Sequence, residues 1–128
     1  MGLTVDNIAA LKIDFPTLLP VREMIHNGQV NMLALNIMDS KNRTADGFYR
    51  ILIHCPNPTN QVPNTYVISK MTIGRHPHAY NRTNSPGTNS QSYHVCQGNY
   101  DATYRSNPGN LISKVSGYIN HIISVLNA

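Results

Sequence analysis

Phe48-Tyr49-Arg50-Ile51-Leu52-Ile53-His54-Cys55-Pro56 is the stretch that decides the fold. Tyr49, Ile51 and Ile53 alternate with Phe48, Leu52 and His54, and a period of two gives a β-strand with two unlike faces. Pro56, with Pro58 and Pro63 behind it, lacks the N–H that a ladder needs, so the strand ends there. On its N-terminal side, across the polar stretch Asp39–Gly47, Val30–Met38 reads as the partner strand. Ahead of that, Asn27-Gly28 accepts positive φ at both positions and signals a tight hairpin, which predicts a short strand over Val21–Ile25. On the C-terminal side Thr65–Ile73 reads as a fourth strand. The expectation is a four-stranded antiparallel meander.

Helices flank it. Val5, Ile8, Ala9 and Leu11 fall at near-helical spacing within Thr4–Ile13, with Thr4 or Asp6 available as a cap and Pro16 forbidding continuation. At the other end Leu111, Val115, Tyr118, Ile122 and Leu126 recur at three- and four-residue steps, and Ile112, Ile119, Ile123 and Val125 widen the stripe. Asn107-Pro108 suits an N-cap followed by the first helical residue. This long helix needs a surface to cover, and one face of the sheet provides it. The fold class is therefore α+β, with residues 1–128 forming one domain. Between the sheet and the last helix, Gly74–Gln91 is almost free of apolar residues and reads as a long loop, and Gln97–Asn107 is again polar.

Composition limits the function. Hydrophobic residues make up 41% of the chain, enough for a packed core, and charged residues only 12%. The net charge is +4, but the ten Lys and Arg residues are scattered and form no stripe, which argues against a nucleic-acid partner. No apolar run approaches a membrane span, and no basic-then-apolar leader pattern opens the chain. A cytoplasmic protein with reduced thiols is expected, and a Cys55–Cys96 disulfide would require export.

Two cysteines then matter. Cys55 ends an apolar strand, and burial is its expected fate. Cys96 follows a polar loop, sits beside Gln97-Gly98 and has His94 two residues away, with His76 and His78 at the far end of the loop. Imidazoles near a thiol favour the thiolate, which is the nucleophile. The same residues permit another chemistry. His76-Pro77-His78 and His94-Val95-Cys96 are H-x-H and H-x-C pairs, and alternate residues of an extended segment point the same way, so His76, His78, His94 and Cys96 form a candidate zinc set. Asp101 is the first acid after Cys96, and Tyr100 and Tyr104 flank it as channel or packing residues.

The order of these features resembles the ubiquitin-conjugating enzymes, in a compact form like that of prokaryotic members, over roughly residues 20–126. The shared features are a strand running into a proline-rich connection, a strand, a His-Pro tripeptide at His76-Pro77-His78, a cysteine at Cys96, and a helix opening Leu111-Ile112-Ser113-Lys114-Val115. The resemblance implies that Cys96 accepts the C-terminal carboxylate of a ubiquitin-like protein as a thioester. An activating, adenylating enzyme delivers it, and an amine of a protein substrate receives it. No cofactor, nucleic acid or membrane is implied. His76 and Pro77 would shape the loop. His78 stands where the family has asparagine, so the oxyanion-stabilising role falls to His78 or to Asn81, and Asp101 would orient or deprotonate the incoming amine. A module of the same fold that binds without catalysis usually lacks this cysteine. Here the loop after His78 is longer than usual, and the family's last helices have no counterpart.

Overall fold

The computed structural model describes residues 1–87 and 91–128. Helix α1 (Val5–Asp14) starts at a capping box: Asn7 N–H donates to Thr4 Oγ1 and Thr4 N–H to Asn7 Oδ1. Strand β1 (Leu19–Pro20), a 3₁₀ turn (Arg22–Met24), β2 (Ile25–His26) and β3 (Gln29–Val30) follow. Strands β4 (Met32–Met38), β5 (Phe48–His54) and β6 (Asn64–Val67) form the consecutive antiparallel meander. Then come β7 (Asn81–Asn84), β8 (Gln91–His94), α2 (Tyr100–Ser106) and α3 (Leu111–Leu126).

The fold is α+β, but among the described residues the sheet has six strands rather than four, in the order β1-β4-β5-β6-β8-β7, and β2-β3 is a separate ribbon. Each departure has a local cause. The Asn27-Gly28 turn forms with φ of 52° and 75°, yet the expected Val21–Ile25 strand does not. Leu19 and Pro20 pair with β4 instead, and the polar pair Arg22-Glu23 coils into the 3₁₀ turn. Thr65–Ile73 stops pairing at Val67, because beyond it Arg50 N–H donates to the Ser69 hydroxyl (2.6 Å) rather than to a backbone carbonyl. The expected loop Gly74–Gln91 contains β7, whose four residues are all exposed and so carry no apolar alternation; its part at 88–90 lies outside the described residues. Within Gln97–Asn107, α2 forms on a single buried anchor, Tyr104. The cap of α3 is Asn110, whose Oδ1 accepts from Ser113 N–H (2.9 Å), and not Asn107. Asn107 instead ends α2 and turns the chain by accepting from Gly109 N–H (2.8 Å).

The core lies between one sheet face and the helices. The register Leu33↔Ile53, Leu35↔Ile51 and Ile37↔Tyr49 lines up three buried rows. Val115, Tyr118, Ile119, Ile122 and Leu126 of α3 join them in one cluster, with Ile8 and Leu11 of α1. Burial of each large aliphatic side chain contributes about 1.5–3 kcal/mol. Among the described residues no helix is long and apolar enough to cross a membrane.

Candidate active site

Cys96 sits one residue beyond the last bond of a strand. Val95 N–H donates to Thr65 O (2.9 Å), extending the β6–β8 pairing, and the Val95 side chain is buried. Alternation then turns the neighbouring side chains away from the core: His94 is half-buried and Cys96 is exposed as a free thiol. Gly98 follows in the left-handed region at φ 68°, which lets the chain leave the strand and enter α2.

Two tethers fix the backbone around the thiol. On one side Cys96 N–H donates to the carbonyl of His78 (2.7 Å), joining the cysteine to the His76-Pro77-His78 segment. On the other, His121 Nε2–H of α3 donates to the Gln97 carbonyl (2.8 Å). The His121 ring stacks on Tyr100 at 4.2 Å and 19°. Gly117, one turn earlier on α3, admits Tyr100: a Cβ there would lie 3.3 Å from the tyrosine Oη. The Gln97 Oε1 is buried and has no hydrogen-bond partner among the described residues.

His76 is the anchor of its segment. It is 1% exposed, and its ring meets Tyr49 edge-on. His78 N–H donates to its Nδ1 (3.0 Å), so the ring proton resides on Nε2, which donates to Leu126 O at the end of α3 (3.0 Å). Arg43 Nη1 at 3.5 Å from that nitrogen is then a donor facing a donor; its real acceptor is Leu126 O (3.1 Å). Burial holds the His76 pKa below the ordinary histidine value, and the Arg43 and His78 charges act in the same direction against the opposing Leu126 hydrogen bond.

The other candidates are placed differently. His78 is half-buried and meets Cys96 through its backbone carbonyl. Asn81 is exposed at the start of β7, opposite His94. The His94 Nε2 lies 3.2 Å from Asn64 Oδ1, and its ring meets Tyr66. Asp101 is exposed on α2 and paired with Arg105 (2.9 Å). Tyr104 is a packing residue: it is buried, its hydroxyl donates to Pro58 O, and its ring meets Tyr118. Cys55 is 1% exposed, and burial pushes its thiol up to about 12. Among the described residues no group of three or more His, Cys, Asp or Glu side chains is arranged to hold a metal, so His76, His78, His94 and Cys96 are not gathered as the spacing suggested.

Sequence reading missed His121. The available signal was Gly117 four residues before it on the helix face that α2 covers, but that face is visible only once α2 exists. No protein-family model, curated protein or solved structure matches this chain.

Proposed function

We propose that this protein is an acyl carrier of the ubiquitin-conjugating type, with a compact fold of that family, working through Cys96. The activating enzyme's thioester of a ubiquitin-like protein meets the Cys96 thiolate. The Cys96 Sγ–carbonyl bond forms, the donor's C–S bond breaks, and the released thiolate takes up the proton that Cys96 gave up. An amine of the protein substrate then attacks. The C–N bond forms, Cys96 leaves as thiolate, and the amine loses a proton to base. His78 or Asn81 stabilises the oxyanion in each step, and Asp101 assists the amine once it exchanges Arg105 for that partner. The chemistry needs a free thiol and hence a reducing compartment such as the cytoplasm.

The observation that carries this reading is the contrast between the two thiols. Cys55 is sealed in the core, whereas Cys96 is exposed with its backbone tied on both sides, to His78 and through Gln97 to His121. A nucleophile held this way approaches an acyl group without paying for loop ordering at the moment of reaction. The order of helix, antiparallel strands, proline-rich connection, His-Pro tripeptide, cysteine and long helix adds support. The binding-module reading has no use for an exposed, tethered thiol.

The test is transthioesterification. Ubiquitin carrying a small-molecule thioester at its C-terminus is mixed with the protein, and so is the ubiquitin-like protein with its adenylating enzyme and ATP. A covalent adduct on a non-reducing gel, lost with thiol reductant and absent in Cys96→Ala, is the expected result. No adduct from either donor, or an adduct that survives in Cys96→Ala, would overturn the proposal.

A further inference from the structure

The cations are scattered in sequence, but the fold gathers three of them. β6 pairs with β8 at Tyr66↔His94 and Val67↔Tyr93, and Val95 N–H extends the pairing to Thr65 O. Beyond Val67 the regular ladder ends: Ile68 N–H still donates to Arg50 O (2.9 Å) and Ser69 holds β5 through its hydroxyl, and the chain then ties to the β4–β5 connection, with Ala45 N–H donating to Lys70 O (3.1 Å) and Thr72 N–H to Arg43 O (2.9 Å). Meanwhile β8 stays paired with β7. The fork between these two walls is a cleft made of two adjoining depressions of ≈ 300 and ≈ 310 Å³, which share Met71, Ile73 and Tyr93. Arg75 and Tyr80 line one depression, Lys70 and Arg82 the other, and among the described residues no Asp or Glu lines either.

All three cations are exposed, and none makes an ion pair; the pairs among the described residues are Arg50–Asp46 and Arg105–Asp101. Arg75 lies over the Tyr80 ring at 4.0 Å and Arg82 over the Tyr93 ring at 5.9 Å. A guanidinium held by its face keeps its N–H edges free for carboxylates. The same stacking covers the two aromatic faces on which a nucleic-acid base would rest.

We propose that this fork binds an acidic, extended segment of a partner protein. Its carboxylates meet Lys70, Arg75 and Arg82, and its apolar atoms rest on Met71, Ile73 and Tyr93. The cleft is linked to the Cys96 backbone: Tyr93 belongs to the strand that leads to Cys96, and His76, which lines the first depression, holds the segment whose His78 carbonyl takes the Cys96 N–H. Binding itself needs no thioester chemistry, so it stands or falls apart from the acyl-carrier reading.

The experiment titrates the isotope-labelled whole protein with a short peptide of alternating glutamate and alanine, and with its glutamine counterpart. The glutamate peptide is expected to bind saturably, to weaken as salt rises, and to move the amide signals of Met71, Ile73 and Tyr93. Arg75→Gln with Arg82→Gln lowers the affinity about tenfold, as loss of two solvent-exposed charge contacts does. Lys70→Gln with Arg82→Gln is a second variant, sharing only Arg82→Gln with the first, with the same expectation, and Cys96→Ala binds like the parent. Equal binding of the two peptides, unchanged affinity in folded double variants, or signal changes confined to another face would overturn the proposal. So would tighter binding of an oligothymidylate of equal charge that displaces the peptide.

Discussion

Removing the His76 ring should loosen the His76-Pro77-His78 segment and destabilise the whole protein, and the geometry fixes how the loss divides. Its Nδ1 accepts from His78 N–H and its Nε2 donates to Leu126 O. In His76→Ala the half-buried His78 N–H is left without its partner, which costs about 1–3 kcal/mol, the lower end applying where water reaches it. Leu126 O keeps Tyr49 Oη (3.2 Å) and Arg43 Nη1 (3.1 Å), so it is not orphaned. The void left by a ring that is 1% exposed adds about 2 kcal/mol. The sum, about 3–5 kcal/mol, is a large part of the stability of a domain this size. Asparagine places an oxygen near the Nδ1 position and keeps the turn; glutamine places an N–H near the Nε2 position and keeps the helix link. Urea unfolding gives the stability of each variant, and hydrogen exchange at the His78 and Cys96 amides gives the local loosening. His76→Asn should preserve those amides better than His76→Gln. An Ala variant within about 0.5 kcal/mol of the parent, a spread expected only of surface sites, or better amide protection in Gln than in Asn, refutes the reasoning.

The same residue sets a pH dependence. Burial keeps His76 neutral in the folded protein, with its pKa below that of the unfolded chain. The unfolded state therefore takes up the proton first as pH falls. Stability is full above the ordinary histidine value of about 6.5 and declines from there down to the folded-state pKa, with a slope of at most about 1.4 kcal/mol per pH unit for one group. His54, half-buried at the end of β5, is shifted the same way by desolvation. His76→Asn should remove one of the two contributions, and an unchanged slope between pH 7 and 5 would show that His76 is not the buried neutral group described.

Three further outcomes are expected. A disulfide reagent should titrate one thiol, Cys96, in the native protein and the second only after unfolding, since Cys55 is buried with its thiol pushed up to about 12; two fast thiols would contradict the burial. His121→Ala removes the donor to the Gln97 carbonyl and should slow single-turnover transfer from Cys96 about tenfold, the loss expected when a reacting group is misplaced, with partial rescue by His121→Gln; a lowered melting temperature with an unchanged transfer rate would make the contact purely structural. Tyr118→Phe removes the 2.8 Å bond to Thr65 Oγ1 and should cost about 1–2 kcal/mol in chemical unfolding, while Tyr118→Phe with Thr65→Val should cost less than the two single changes added; strict additivity would show that the pair does not interact.

The parts of the fold that were legible are those whose burial writes a period into the sequence. β5 alternates because one of its faces packs on α3, and α3 carries a broad stripe because it crosses that sheet. The parts that were missed have no such imprint. β7 is exposed at all four positions, and α2 has one fully buried residue, Tyr104, with Tyr100 partly buried beside it, so neither pattern rises above that of a polar loop. The end of β6 depends on Ser69 placing its hydroxyl where a carbonyl would stand, a choice that no residue propensity announces. Asn107 and Asn110 carry the same capping chemistry, and only the formation of α2 assigns one of them to each helix.

At the site, the difference between His76 and His78 shows where sequence logic fails. Alternation along an extended chain would aim both rings the same way and make the pair a chelate. The segment is not extended: His78 N–H folds back onto the Nδ1 of His76, and that ring is drawn into the core against Tyr49 and the end of α3. Both its nitrogens are spent on holding structure, which leaves none for a metal. What it holds is the His78 carbonyl, and that carbonyl takes the Cys96 N–H. The exposed thiol is thus tied to the far end of α3 by a residue that reaches it only through the His78 carbonyl. Substitution at His76 should therefore disturb Cys96 chemistry through geometry while leaving the thiol's own exposure intact, a separation that alkylation of Cys96 and acyl transfer, measured on the same variant, will reveal.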